Sequence, residues 1–193
     1  MFKKEAEKIV LKPLIIKTMK VQIIGKSDLL QNKMSEKTKD MLERKMEGKG
    51  NEKANRDFLN EVEGKCHKID AKGTIGIPTT AFKNAIIESS VYIDGMSKKL
   101  AKSIIIEGDY VPLKYKSRTV NKTMGRPRMS ATPMPIYRPQ FKDWSCELTV
   151  SFNSSQISPE VIINLFRLAG FHNGVGSWSP AKSGSYGCFD VKI

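Results

Sequence analysis

An apolar helical stripe ending near Ala169 and a terminal strand alternating at Phe189, Val191 and Ile193 are separated by a stretch holding Gly170, Gly174, Gly176, Gly184 and Gly187. That order, helix then glycine-rich loop then strand, narrows the choice of folds. Phosphate loops of nucleotide hydrolases and dinucleotide-binding folds run from strand through loop into helix, so that the helix N-terminus faces the anion. Here the direction is reversed and no Gly-x-x-x-x-Gly-Lys-Ser/Thr string occurs, which excludes that class of site. Two readings of the loop remain. Glycine lets a backbone approach a ligand closely, so exposed N–H groups among Gly174, Gly176, Gly184 and Gly187, with Lys182 beside them, could hold phosphates. In the other reading Gly170 caps the helix, and Gly184 and Gly187 serve a tight turn before the last strand.

Charge narrows the choice of partner. Lys and Arg number 33 against 20 Asp and Glu, a formal net charge of +13, and nucleic acid is the commonest anionic partner of such a chain. Much of the excess is local. Lys114, Lys116, Arg118, Lys122, Arg126, Arg128, Arg138 and Lys142 fall between Tyr110 and Lys142 with no acidic residue among them. Pro127, Pro133, Pro135 and Pro139 argue against a long helix or a central strand, so residues 110–142 are expected as an extended, exposed loop. Tyr110, Tyr115, Tyr137, Phe141 and Trp144 are interleaved with the cations, as where bases stack and phosphates pair. A solvated basic surface anchored to the core by its aromatics is the plainer alternative.

Periodicity places these pieces on a frame. Thr18 to Lys26 reads as a strand with Met19, Val21 and Ile23 on one face, and Cys146 to Phe152 alternates in the same way. Residues 35–64 are charge-mixed and read as a helical insertion, broken at Gly48 to Asn51. Short strands follow at Cys66 to Ile69 and Thr74 to Ile77. Pro78 opens a helix over Thr79 to Ser90, a small helix covers Ser97 to Lys102 and leads into Ile104-Ile105-Ile106, and Ser158-Pro159 starts the last helix. The expected fold is therefore α+β: one ferredoxin-like domain over residues 1–193, an antiparallel sheet with its helices on one face, carrying the charged insertion and the basic loop. The second sheet face then needs cover or a ligand.

The segments Gly174-Val175-Gly176 and Lys182-Ser183-Gly184-Ser185-Tyr186-Gly187-Cys188-Phe189 resemble the glycine-rich loop and closing strand of the repeat-associated (RAMP) superfamily of CRISPR effector and processing proteins. Val21 to Leu30 resembles that superfamily's first strand and turn, and Gly76 to Ala85 the start of its first long helix. More broadly the chain is similar to a family of bacteriophage proteins sharing an Ile-Pro helix, an Arg-Pro segment, Leu-x-x-Ala-Gly-Phe and Gly-Val-Gly-x-Trp. The resemblance implies a ferredoxin-like, RRM-like protein that binds RNA or single-stranded DNA. In it the loop, with Trp178 and Tyr186, packs against the nucleic-acid backbone and Lys114, Tyr115, Lys116, Arg118, Lys122, Arg126, Arg128, Tyr137 and Arg138 form the basic arm. Cytoplasmic location is expected, in the host cell if the chain is phage-encoded, with room for a homo-oligomer along a strand.

Two other classes stay open. One is an anti-CRISPR protein that docks on a CRISPR ribonucleoprotein. The other is a metal-independent endoribonuclease, for which His67 and His172 are the only histidines, His172 lying in sequence near Lys182 and Tyr186. Where processing members of the superfamily carry their catalytic histidine, this chain has Ser27 and Asp28, so a non-enzymatic binder is the leading expectation. Acidic residues are scattered and often answered by a nearby lysine, so no two-metal site is expected, and Cys66, Cys146 and Cys188 support neither a disulfide framework nor a zinc site. No cofactor is expected. No apolar run approaches the length needed to cross a bilayer, and the lysine-rich start lacks the apolar core of a signal peptide.

Overall fold

The computed structural model describes residues 14–34, 40, 58–125 and 133–192. In chain order its elements are β1 (Ile16–Gly25), β2 (Leu29–Leu30), α1 (Phe58–Gly64), β3 (Gly76–Pro78), α2 (Thr79–Ser89), α3 (Lys98–Lys102) and β4 (Ile105–Ile106). There follow β5 (Tyr110–Pro112), β6 (Ser117–Gly125), β7 (Met134–Lys142), β8 (Ser145–Asn153), α4 (Pro159–His172) and β9 (Phe189–Val191). Apart from Phe58–Gly64, nearly all of the expected charged insertion lies outside the described residues, as does Ile193.

Alternation in two strands decides the centre. Val21 and Ile23 of β1 stand opposite Leu148 and Cys146 of β8, all four buried on one face. β9 pairs with β1 and β4 with β8, every pair antiparallel, giving the order β4-β8-β1-β9. With α2 between β1 and β4, and α4 between β8 and β9, this is the split β-α-β arrangement of a ferredoxin-like sheet. Phe82 and Ile86 from α2 and Ile162, Leu165 and Phe166 from α4 are fully buried in the shared core. Each such side chain contributes about 1.5–3 kcal/mol through burial. Ser158 accepts from the Val161 N–H and Pro159 fills the first turn, as expected from sequence.

α4 does not stop at Gly170. It continues to His172, and Gly174, at φ +57°, donates its N–H to the Ala169 carbonyl at 2.8 Å, so Gly174 takes the left-handed position that ends the helix. The side chain of Asn173 donates to the Ala85 carbonyl at 3.1 Å and meets Ser89 Oγ at 2.5 Å, tying the end of α4 to α2.

The other face of the four-stranded sheet is carpeted by Thr18, Lys20, Gln22, Glu147, Thr149 and Ser151, with Lys20 and Glu147 paired at 2.8 Å. Ile24 shares this face, and Ile16 and Ile105, exposed, stand on it toward the other end, so it is polar at its centre and partly apolar beyond. None of these residues is aromatic, so it lacks the base-stacking platform of an RRM-like sheet.

Residues 110–142 correct the sequence expectation of a loop. β6 and β7 form a nine-residue antiparallel hairpin, and β7 is the middle strand of a second sheet, β2-β7-β6. The prolines are tolerated for a geometric reason. The carbonyl of Pro139 accepts from Gln31 N–H on the β2 side, and the N and O of one strand residue point the same way. The missing N–H of Pro139 therefore removes no bond to β6, and Pro135, four residues away, shares that orientation. Gln31, buried, also bonds the Gly76 carbonyl at 2.7 Å and the His67 N–H at 2.9 Å, joining this sheet to the β3-β5 pair.

Candidate nucleic-acid interface

Pairing between β6 and β7 sorts their side chains onto two faces. Ser117, Thr119, Asn121 and Thr123 share one face with Ile136, Arg138, Gln140 and Lys142. Against that face lie the glycine-bearing loop and the turn between β1 and β2. A polar chain crosses the seam: Gln140 donates to Asp28 at 2.5 Å, and Asn121 donates to Gln140 at 3.3 Å and to the Tyr186 hydroxyl at 3.4 Å. The basic hairpin and the loop thus meet on one surface.

Arg138 is the central cation of the seam. It is 6% exposed, its guanidinium lies 5.0 Å over the Trp178 ring, and Nη1 donates to Thr123 Oγ1 at 3.0 Å. No carboxylate among the described residues pairs with it. Burial pushes its pKa below the ordinary arginine value, yet arginine stays charged at any accessible pH. An uncompensated buried charge costs several kcal/mol, roughly 3–5 when a partner is removed from an ion pair. Three buried side-chain polar atoms of the described residues lack a hydrogen-bond partner, and two of them, Arg138 Nε and Asn121 Oδ1, are in this seam.

Trp178 is also held at a cost. Its φ is +54°, the left-handed region, where a bulky residue loses about 1–2 kcal/mol. Its carbonyl accepts from Tyr186 N–H at 3.0 Å, and the residue is 37% exposed at the mouth of the seam.

The glycines serve packing more than ligand approach. The N–H groups of Gly174, Gly184 and Gly187 are taken by the carbonyls of Ala169, Ser179 and Asp28, and Lys182 Nζ donates to the Gly176 carbonyl at 2.9 Å. Gly176 (φ +85°) lies against the Leu30 backbone, and at Gly187 (φ +69°) a Cβ would collide with the Val175 carbonyl. These are structural roles, as in the second sequence reading, except that the helix ends at Gly174 and Gly170, which that reading makes the cap, lies inside α4. The phosphate cradle of free N–H groups expected in the first is not formed at those three glycines.

The remaining cations are divided. Arg118 points to the opposite face, where it is ion-paired with Glu63 of α1 and lies 6.0 Å from the Phe141 ring. Arg118 and, less strongly, Lys68 hold the Glu63 carboxyl below the usual carboxylate range, against the effect of burial. Lys122 shares that opposite face, 5.7 Å from the Tyr137 ring. Lys114 and Lys116 are exposed at the base of the hairpin, and Lys114 exchanges backbone bonds with Ser145. Arg126 and Arg128 lie outside the described residues. Of the interleaved aromatics, Phe141 and Trp144 are core, and Tyr115 stands half-exposed, edge-on to Phe141 at 5.0 Å.

The histidines sit elsewhere. His172 is stacked on Tyr92 with ring centroids 4.0 Å apart and meets Phe171 edge-on, whereas Tyr186 meets Asn121 in the seam. His67 lies 5.8 Å from Tyr110, and burial, then Lys33, push its pKa down. Sequence reasoning did not find the groove of about 670 Å³ beside α4 and β9, lined by Lys26, Tyr92, Arg167, Phe171, Cys188 and Asp190. A signal existed in exposed Phe171 next to His172, but only the fold brings Tyr92 to them. Among the described residues no group of three or more His, Cys, Asp or Glu is placed to hold a metal ion, and no helix is long and apolar enough to cross a membrane.

No family model matches the chain, and no curated relative does. Among solved structures, the chain is similar to the crystal structure of Cmr6 from Pyrococcus furiosus, at 11% identity and a TM-score of 0.44, over 93% of this chain and 100% of that one.

Proposed function

We propose that the chain is a non-enzymatic binder of single-stranded nucleic acid, RNA or DNA, and that the strand runs along the open edge of the seam between the β6-β7 hairpin and the loop, past Trp178. The observation that carries this reading is the buried Arg138 guanidinium, unpaired with any carboxylate of the described residues and covered by the partly exposed Trp178 indole. Cation and aromatic side by side are what a phosphate followed by a base requires. Lys142 on the same face and Lys182 on the loop extend the positive surface, while Lys114 and Lys116 flank its base. With +13 overall, long-range attraction draws a polyanion to the molecule.

Fluorescence anisotropy of a labelled single-stranded RNA, the matching DNA strand and the matching duplex, each titrated over a range of salt, tests the proposal. Single strands bind more tightly than duplex, and affinity falls by about 0.7 logarithmic units per tenfold increase in salt for each phosphate contacted. Absence of single-strand binding at low salt overturns it, as does binding that ignores salt.

A further inference from the structure

Arg138 and Trp178 satisfy each other incompletely. The ring offers the guanidinium a π face but no net negative charge, and among the described residues neither Arg138 Nε nor Asn121 Oδ1, directly across the ladder, has a hydrogen-bond partner. The Trp178 side chain is not fixed by a hydrogen bond: its main-chain carbonyl accepts from Tyr186 N–H, but the indole N–H makes no hydrogen bond within the described residues and the residue is 37% exposed, so turning the ring costs no hydrogen bond. Trp144, by contrast, is 1% exposed and its indole N–H donates to the Ser27 carbonyl at 2.8 Å.

We infer that Arg138 and Trp178 form an exchange site: one phosphodiester of a bound single strand takes the guanidinium, and the indole it displaces stacks on the neighbouring base. The inference rests on the nucleic-acid reading of the seam and adds how the site works. The indole holds the place of the anion in the free protein, keeping an unpaired cation from water. Binding replaces that stand-in with a true counter-charge, and the released ring contributes stacking that is independent of base identity. Phosphate recognition and base stacking are thereby one coupled event, and the strand has to be flexible enough to present both groups to the same residue pair.

Tryptophan fluorescence of the full chain tests it, because Trp144 is shielded and acrylamide therefore reads Trp178. Adding an unlabelled single-stranded RNA or DNA oligomer quenches Trp178 emission and protects it from acrylamide, and Trp178→Phe removes that change. Arg138→Met lowers affinity by about tenfold or more, the loss expected for one charge-assisted contact, and Arg138→Lys recovers part of it. Binding by the wild type with no change in Trp178 emission or accessibility overturns the exchange while leaving the nucleic-acid reading intact. Failure of any strand to bind overturns both. Inorganic phosphate reproducing the entire emission change would mean a free-anion site and would also overturn the exchange. Should Arg138→Met fail to fold, the wild-type emission and acrylamide measurements decide alone.

Discussion

The guanidinium of Arg138 lies 5.0 Å over the indole of Trp178, joining the middle strand of the small sheet to the loop that precedes the last strand of the large one. An arginine buried with no carboxylate partner among the described residues opposes folding, so Arg138 has a testable signature in stability as well as in binding.

Replacing Arg138 with methionine keeps the length of the stem and removes the buried charge. The variant is expected to be as stable as the wild type or up to about 2 kcal/mol more stable, because well-packed apolar replacements of buried charges commonly gain stability. Urea denaturation checks this. A loss greater than about 1 kcal/mol would make Arg138 a structural buttress held by Thr123 and Trp178.

Gly187→Ala strikes the loop instead. The new Cβ meets the Val175 carbonyl at a φ of +69°, so neither the backbone conformation nor the close approach survives. A destabilisation of at least about 2 kcal/mol is expected, measurable as a fall in urea midpoint at unchanged slope.

Much of this architecture was legible in the chain because its signals are local. Val21 and Ile23, Leu148 and Val150 alternate as a half-buried sheet requires, and Ser158-Pro159 announces a helix start wherever it folds. Register is another matter. Whether Arg138 faces the loop or the opposite side is set by its pairing with Asn121, and a one-residue slip would reverse it. Prolines made residues 110–142 look unpaired, since the sequence does not say that Pro139 turns its nitrogen away from β6. Phe141 and Trp144 are open to both readings in sequence, since an aromatic next to lysines reads alike as a stacking platform or as core, and the structure buries both. The left-handed backbone of Trp178 has no sequence signature at all.

The Arg118–Glu63 pair gives a pH prediction. Arg118, and less strongly Lys68, hold the Glu63 carboxyl below its ordinary value of 4.5. A carboxyl depressed in the folded state contributes stability above its unfolded pKa and loses it as pH falls through the folded value. The stability difference between wild type and Glu63→Gln is therefore constant well above that ordinary value and closes as the pH falls below it through the folded value, and it does not exceed about 1 kcal/mol because both side chains keep contact with solvent. Denaturant melts at a series of pH values check this. Since Arg118 is neutralised on the face away from the loop, Arg118→Gln is expected to weaken nucleic-acid binding by less than about threefold.

The cysteines differ in reactivity. Burial pushes the Cys146 thiol up to about 12 and raises that of Cys66, whereas Cys188 is partly exposed. Iodoacetamide at about pH 8 is expected to modify Cys188 alone in the folded chain and all three on unfolding. Mass spectrometry of the digested protein reads the result.

The slope of log affinity against log salt for a single-stranded oligomer measures most directly whether the seam between the hairpin and the loop carries the strand. For the Lys142→Gln, Lys182→Gln double variant the slope flattens by about 1.4 relative to the wild type, the change expected when two phosphates are no longer neutralised, whereas Lys122→Gln on the opposite face leaves it unchanged. Equal slopes for the wild type and the double variant, or a larger change at Lys122, would contradict the account.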